Sequence, residues 1–119
     1  MAGGVLERRD EGDVVHLTMN RPERLNALSS ELVLRLGEEL SRIGHETRAV
    51  VLRGHGRAFS AGHDLKDAAA QDGSRSDQEL RESVERMQDV TRALRGCPAP
   101  VIGVVQGYAV GAGCEIALC

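Results

Sequence analysis

Apolar positions along this 119-residue chain change their period several times, and each change marks an element. Residues 4–9 and 13–19 read as two short strands joined by a turn around Glu11-Gly12-Asp13. In the second, Val15, Leu17 and Met19 alternate with Val14, His16 and Thr18, which predicts a sheet with one more deeply buried face. Asn20 to Leu28 reads as a loop punctuated by Arg21-Pro22. Either Ser29 or Ser30 can cap the helix that follows, whose first turn carries Glu31 at the positive end of the dipole. Leu32, Leu36, Leu40 and Ile43 recur at helical spacing, and Gly44 suits a C′ stop.

Ala49 to Leu52 is a continuous apolar run, which suits a parallel strand covered on both faces. Gly54-His55-Gly56-Arg57 breaks it, and the small polar stretch Gln71 to Ser76 predicts a mobile loop. Ser76-x-x-Glu79 forms a capping box ahead of an apolar stripe of Leu80, Val84, Met87, Val90 and Leu94. Gly96 ends that helix before Pro98. Pro100 leads into a second candidate for a fully buried strand, Val101 to Val105. Gly107 to Gly113 is a glycine-rich turn, and Cys114 to Cys119 reads as helical. Strands separated by helices predict an α/β fold with right-handed crossovers and a largely parallel sheet. The last helix has barely begun at Cys119, so a complete α/β domain is not expected of these residues.

Composition narrows the classes. With 41% hydrophobic and 28% charged residues, wholesale disorder is excluded. Phe59 and Tyr108 are the only aromatics, so aliphatic side chains must fill a modest core. A net charge of −3 and the lack of any basic block leave no footprint for nucleic acid or an anionic membrane. Cys97, Cys114 and Cys119 form an odd set without a C-x-x-C pair, which predicts buried, reduced thiols and no metal site. No secretory h-region and no membrane-length apolar run occur, so a soluble cytoplasmic protein is expected.

The chemistry concentrates in two glycine-rich segments, Arg57 to Leu65 and Gly107 to Glu115. Each follows an apolar strand and precedes a helix. Amides at a helix start lack intrahelical acceptors, and glycine lets a ligand approach them closely. Two such turns side by side could aim two N–H donors at one oxygen, as an oxyanion hole does. On spacing alone they read more readily as turns that only relieve crowding. No G-x-G-x-x-G and no P-loop motif occurs.

Asn20-Arg-Pro-Glu-Arg-Leu-Asn-Ala-Leu28, Ala58-Phe-Ser-Ala-Gly-His-Asp-Leu-Lys66 and Gly107-Tyr-Ala-Val-Gly-Ala-Gly-Cys-Glu115 resemble, in order and separation, three signature segments of the crotonase (enoyl-CoA hydratase/isomerase) family. The resemblance spans nearly the whole chain but only the N-terminal half of a typical member. It implies a crotonase-like (ClpP/crotonase) ββα spiral, incomplete at its C-terminus, with residues 1–119 as the N-terminal part of one domain. It implies that the peptide N–H groups of His63 and Ala112 hold the thioester carbonyl of an acyl-CoA, and that Glu115 is one of two acid/base groups. The other would lie beyond Cys119. Arg24, Leu25 and Ala27, with Ala61, Asp64 and Leu65, match positions that line coenzyme A. Asp64 reads also as a helix cap, Glu115 as a residue favourable to the helix dipole, and Arg24 as a solvated loop arginine. Coenzyme A enters as part of the substrate, so no separate cofactor is expected. The implied partners are an acyl-CoA thioester and, in a full-length member, copies of itself as a trimer or hexamer. The reaction implied is hydration of a 2,3-enoyl thioester. Isomerase, decarboxylase and hydrolase chemistry stay open, as does a truncated chain that binds CoA esters without turnover.

Overall fold

The computed structural model describes residues 4–62 and 77–118. These form three successive strand-strand-helix units. The first is β1 (Leu6–Glu11), β2 (Val14–Met19) and α1 (Ser30–Ser41); the second is β3 (Ala49–Gly54), β4 (Ala58–Ser60) and α2 (Asp77–Gly96). The third is β5 (Val101–Val104), β6 (Tyr108–Ala109) and α3 (Ala112–Leu118). The first sheet has the order β1-β2-β3-β5, and β4 pairs with β6 in a second, two-stranded sheet. Among the described strands β1 and β2 pair antiparallel, while β2 with β3, β3 with β5 and β4 with β6 run parallel. The first unit gives both its strands to the large sheet, and the second and third units each add one strand to either sheet, as a ββα spiral requires.

Alternation fixes the buried face. Val15 pairs with Val50 and Leu17 with Leu52 in the β2–β3 register. Against that face pack Leu32, Leu36 and Leu40 of α1 and Met87, Val90 and Leu94 of α2, with Phe59 fully buried among them. Each fully buried leucine contributes about 2 kcal/mol relative to exposure. Across β1 and α1, Arg8 lies 3.9 Å from the buried carboxylate of Glu39. Arg8 also donates to Asp10 at 2.8 Å, and this hydrogen bond holds the Asp10 carboxyl below its ordinary pKa.

Several expectations are corrected. The first strand runs Leu6–Glu11, two residues later than expected at both ends, although Asn20 N–H still donates to Val5 O at 2.7 Å and carries the β1–β2 register one pair further. Helix α1 does not end on a left-handed Gly44: it stops at Ser41, and the Arg42 amide closes back on the Glu39 and Leu40 carbonyls. β3 is fully buried on only one face, since Ala49, Val51 and Arg53 remain half-buried on the side away from α1 and α2. β5 is not a fully buried strand but the sheet's edge, with Ile102 52% exposed. Of the expected α2 stripe, Met87, Val90 and Leu94 are buried but Val84 is 55% exposed, and the side chain of Leu80 lies outside what the structure describes. The two glycine-rich segments each contain a short strand, β4 and β6, where turns alone were expected. Cys97 and Cys114 are free, as expected, but half-buried. The Gln71–Ser76 loop with its capping serine, and Cys119, lie outside the described residues.

Candidate active site

The site is assembled by the loop between β2 and α1. Pro22–Arg24 make one 3-10 turn, and Leu25 and Asn26 both take left-handed backbone angles, φ 54° each. Asparagine tolerates that region better than most residues. Here Asn26 is fully buried, and its side chain is satisfied three times. Its Oδ1 accepts from Arg21 N–H at 2.8 Å, and its Nδ2 donates to the His55 and Ala58 carbonyls at 2.9 Å each. The loop is thereby laid along β4. Ala61 N–H donates to Leu25 O at 2.9 Å, and Leu28 N–H to Gly62 O at 2.7 Å.

The third unit closes on the same strand from the other side. Val110 N–H donates to Ser60 O at 3.1 Å. The approach is close enough to demand glycine on both turns. A Cβ on Gly62, whose φ is +91°, would lie 2.6 Å from Val110 O and 3.4 Å from Ala112 N. A Cβ on Gly113 would lie 2.5 Å from Ser60 O. Both exceed what packing tolerates, so the two turns sit back to back only because neither carries a side chain there.

Of the residues expected at the site, Ala112 is the first residue of α3 and is buried, and its N–H has no intrahelical acceptor. The backbone of Glu115 lies one helical turn further along α3. Leu25 and Ala61 are joined by the hydrogen bond already described, and both are half-buried. Ala27 is buried, and Arg24 stands exposed on the 3-10 turn. His63, Asp64 and Leu65 lie outside the described residues, as does the side chain of Glu115. Among the described residues, no three His, Cys, Asp or Glu side chains gather as a metal site. No helix among them is long and apolar enough to cross a membrane.

Sequence reasoning missed Asn26 and the use made of Ser60. Asn26 was visible only as one polar residue in a loop. Ser60 lacks a nucleophile elbow, but its hydroxyl is buried and fully engaged, donating to Asn26 O at 2.8 Å and accepting from Gly62 N–H at 3.2 Å.

Three strand-strand-helix units with apposed glycine turns define a crotonase-like protein, and comparison with known proteins agrees. The chain belongs to the enoyl-CoA hydratase/isomerase family, whose model matches residues 9–119. It is 43% identical over 102 residues to the "Probable enoyl-CoA hydratase" of Rhodobacter capsulatus, covering 86% of this chain and 38% of that protein. It is 41% identical to the 1,2-epoxyphenylacetyl-CoA isomerase of Escherichia coli, covering 91% of this chain and 42% of that one. The crystal structure of an enoyl-CoA hydratase from Mycobacterium smegmatis superposes with a TM-score of 0.89 at 42% identity, over 96% of this chain and 44% of the other. The chain therefore spans well under half the length of these relatives.

Proposed function

We propose that the chain supplies the thioester-binding half of an enoyl-CoA hydratase site, as the N-terminal part of one crotonase-like domain. In this reading the amides of His63 and Ala112 donate to the thioester carbonyl of an acyl-CoA. When water adds at the β-carbon, electron density moves onto that oxygen, and the two donors stabilise the enolate-like charge. One such donor is typically worth ~3 kcal/mol in the transition state. Glu115 serves as one of the two acid/base groups, exchanging a proton with the water or the α-carbon. Leu25, Ala27, Ala61, Asp64 and Leu65 border coenzyme A, and Arg24 meets its phosphates. Coenzyme A is part of the substrate, and no further cofactor takes part.

The observation that carries this reading is the apposition of Gly62 with Val110 and Ala112, at a distance no side chain would permit. A second reading, isomerisation of the acyl chain, is favoured by the 41% identity to the Escherichia coli isomerase. Hydration of crotonyl-CoA tests the first against the second. In a protein that continues in the same reading frame past Cys119, Glu115→Gln is expected to lower turnover about a hundredfold or more while leaving acyl-CoA binding intact. Unchanged turnover would remove Glu115 from the mechanism. Conversion of a 3-enoyl thioester without hydration would select the isomerase reading, and tight binding without any turnover would select a non-catalytic one.

A further inference from the structure

We infer that Arg57 joins Arg24 in an arginine pair that binds a phosphate group of coenzyme A. This rests on the acyl-CoA reading proposed above and deepens it, by giving the corner between β3 and β4 to the nucleotide end of the ligand. The two arginines stand on turns that the fold presses together. Arg24 closes the 3-10 turn of the β2–α1 loop, and Arg57 is the last residue of the corner before β4. A Cβ on Gly56, whose φ is +84°, would lie 3.0 Å from Pro22 Cβ. Asn26 Nδ2 reaches across the same seam to the His55 and Ala58 carbonyls, at 2.9 Å each. Pro22 and Asn26 bracket Arg24 in sequence, and Gly56 and Ala58 bracket Arg57, so contacting residues flank both arginines. The seam continues to Ala61, whose N–H donates to Leu25 O at 2.9 Å, and then to the Gly62 turn. It thus leads from the arginines, past β4, to the place proposed for the thioester.

Both arginines are exposed, and among the described residues neither has a hydrogen bond or an ion pair. Elsewhere on the surface Arg8, Arg9, Arg42 and Arg48 each meet a carboxylate. Glu23 is the one acidic residue on the two turns, and it pairs with neither arginine. His55, the other cation of the corner when protonated, is already engaged by Glu7 at 2.6 Å. Two uncompensated guanidinium groups on adjoining turns therefore make a local positive site on a chain of net charge −3. The guanidinium fork matches a pair of phosphate oxygens, and a phosphate has enough free oxygens to serve two forks at once. An acyl-CoA lying along this seam carries its phosphates at the end away from the thioester, which is the end the arginines occupy.

The test uses three ligands that bind without reacting. They are butyryl-CoA, butyryl-dephospho-CoA, which lacks the 3′-phosphate, and butyryl-pantetheine, which ends before the phosphates. Calorimetric titration is made on a protein that continues in the same reading frame past Cys119. The wild type is expected to bind butyryl-CoA at least about tenfold more tightly than butyryl-pantetheine. Arg57→Ala is expected to weaken butyryl-CoA about tenfold, the size of one charge-assisted contact, and to change butyryl-pantetheine less than about twofold. Arg57→Lys, which keeps the charge without the fork, is expected to fall between. Thermal unfolding checks that each variant is folded, and Arg57→Lys decides alone if the alanine variant is not. A loss shared by the dephospho ligand assigns the contact to the pyrophosphate, and a loss confined to butyryl-CoA assigns it to the 3′-phosphate. A wild type without preference for butyryl-CoA overturns the acyl-CoA reading, and this inference with it. A preference kept intact in the folded variants overturns this inference only. So does an equal loss for all three ligands, since it marks a purely structural role.

Discussion

Asn26 carries more of the site's architecture than any side chain expected to do chemistry. A buried amide is tolerable only when its donors and acceptor are all met, and here they are. Asn26→Ala would strand Arg21 N–H and the His55 and Ala58 carbonyls in a site with no room for compensating side chains. Gly54 shows how tight that site is: a Cβ there would meet Asn26 Nδ2 at 2.6 Å. The Ala58 carbonyl, whose bond is buried, costs about 1–3 kcal/mol when orphaned, and the part-buried Arg21 and His55 groups add less, so a loss of about 2–4 kcal/mol is expected in urea unfolding. Asn26→Asp should fare no better, because a carboxylate cannot donate to two carbonyls. A loss below about 1 kcal/mol for Asn26→Ala would show that the loop finds other partners.

Among the elements, α1 shows how a helix start locks to the site. Ser29, and not Ser30, is the cap: its hydroxyl accepts from Leu32 N–H at 3.2 Å, immediately after the loop residue Leu28 that holds Gly62. Ser29→Ala is expected to cost about 1 kcal/mol, read as a lower urea midpoint at unchanged slope, and Ser29→Asp to restore it. An unchanged midpoint in the alanine variant would mean that the cap is dispensable. The sequence announces α1 and β2 because the periodicity of their own side chains matches the face they bury, and β3 as an apolar run whose strand is legible but whose single buried face is not. It does not announce β4 and β6, which are three and two residues long and exist through distant partners. Phe59 N–H, for instance, donates to Gln106 O, 47 positions away by number. The same divide runs through the site. The glycine turns are legible because glycine is demanded where backbones nearly touch. The Asn26–Ser60 link is not, because no local spacing relates residues so far apart in the chain.

At the scale of the whole molecule, the two outer strands of the large sheet are protected very differently. β1 carries Glu7, Arg8, Arg9, Asp10 and Glu11 in succession, and charge on an edge strand discourages pairing with another chain. β5 reads Val101-Ile102-Gly103-Val104 with no charge, and among the described residues no strand pairs with its outer side. Ile102 and Val104 are 52% and 43% exposed, and Val105, which follows them, is similarly open. An apolar run in sequence looks the same whether a strand is buried on both faces or stands at an edge, which is why β5 was read as buried. An unpaired, uncharged edge with exposed β-branched side chains is a template for strand addition. The isolated chain is therefore expected to self-associate as its concentration rises, measured by sedimentation velocity. Ile102→Lys should suppress that association and shift unfolding stability by no more than about 0.5 kcal/mol, as for other exposed positions. Arg9→Ala, on the guarded edge, should leave it unchanged. Association that persists in Ile102→Lys would place the sticky surface elsewhere, with exposed Tyr108, Val110 and Leu118 next to be tested.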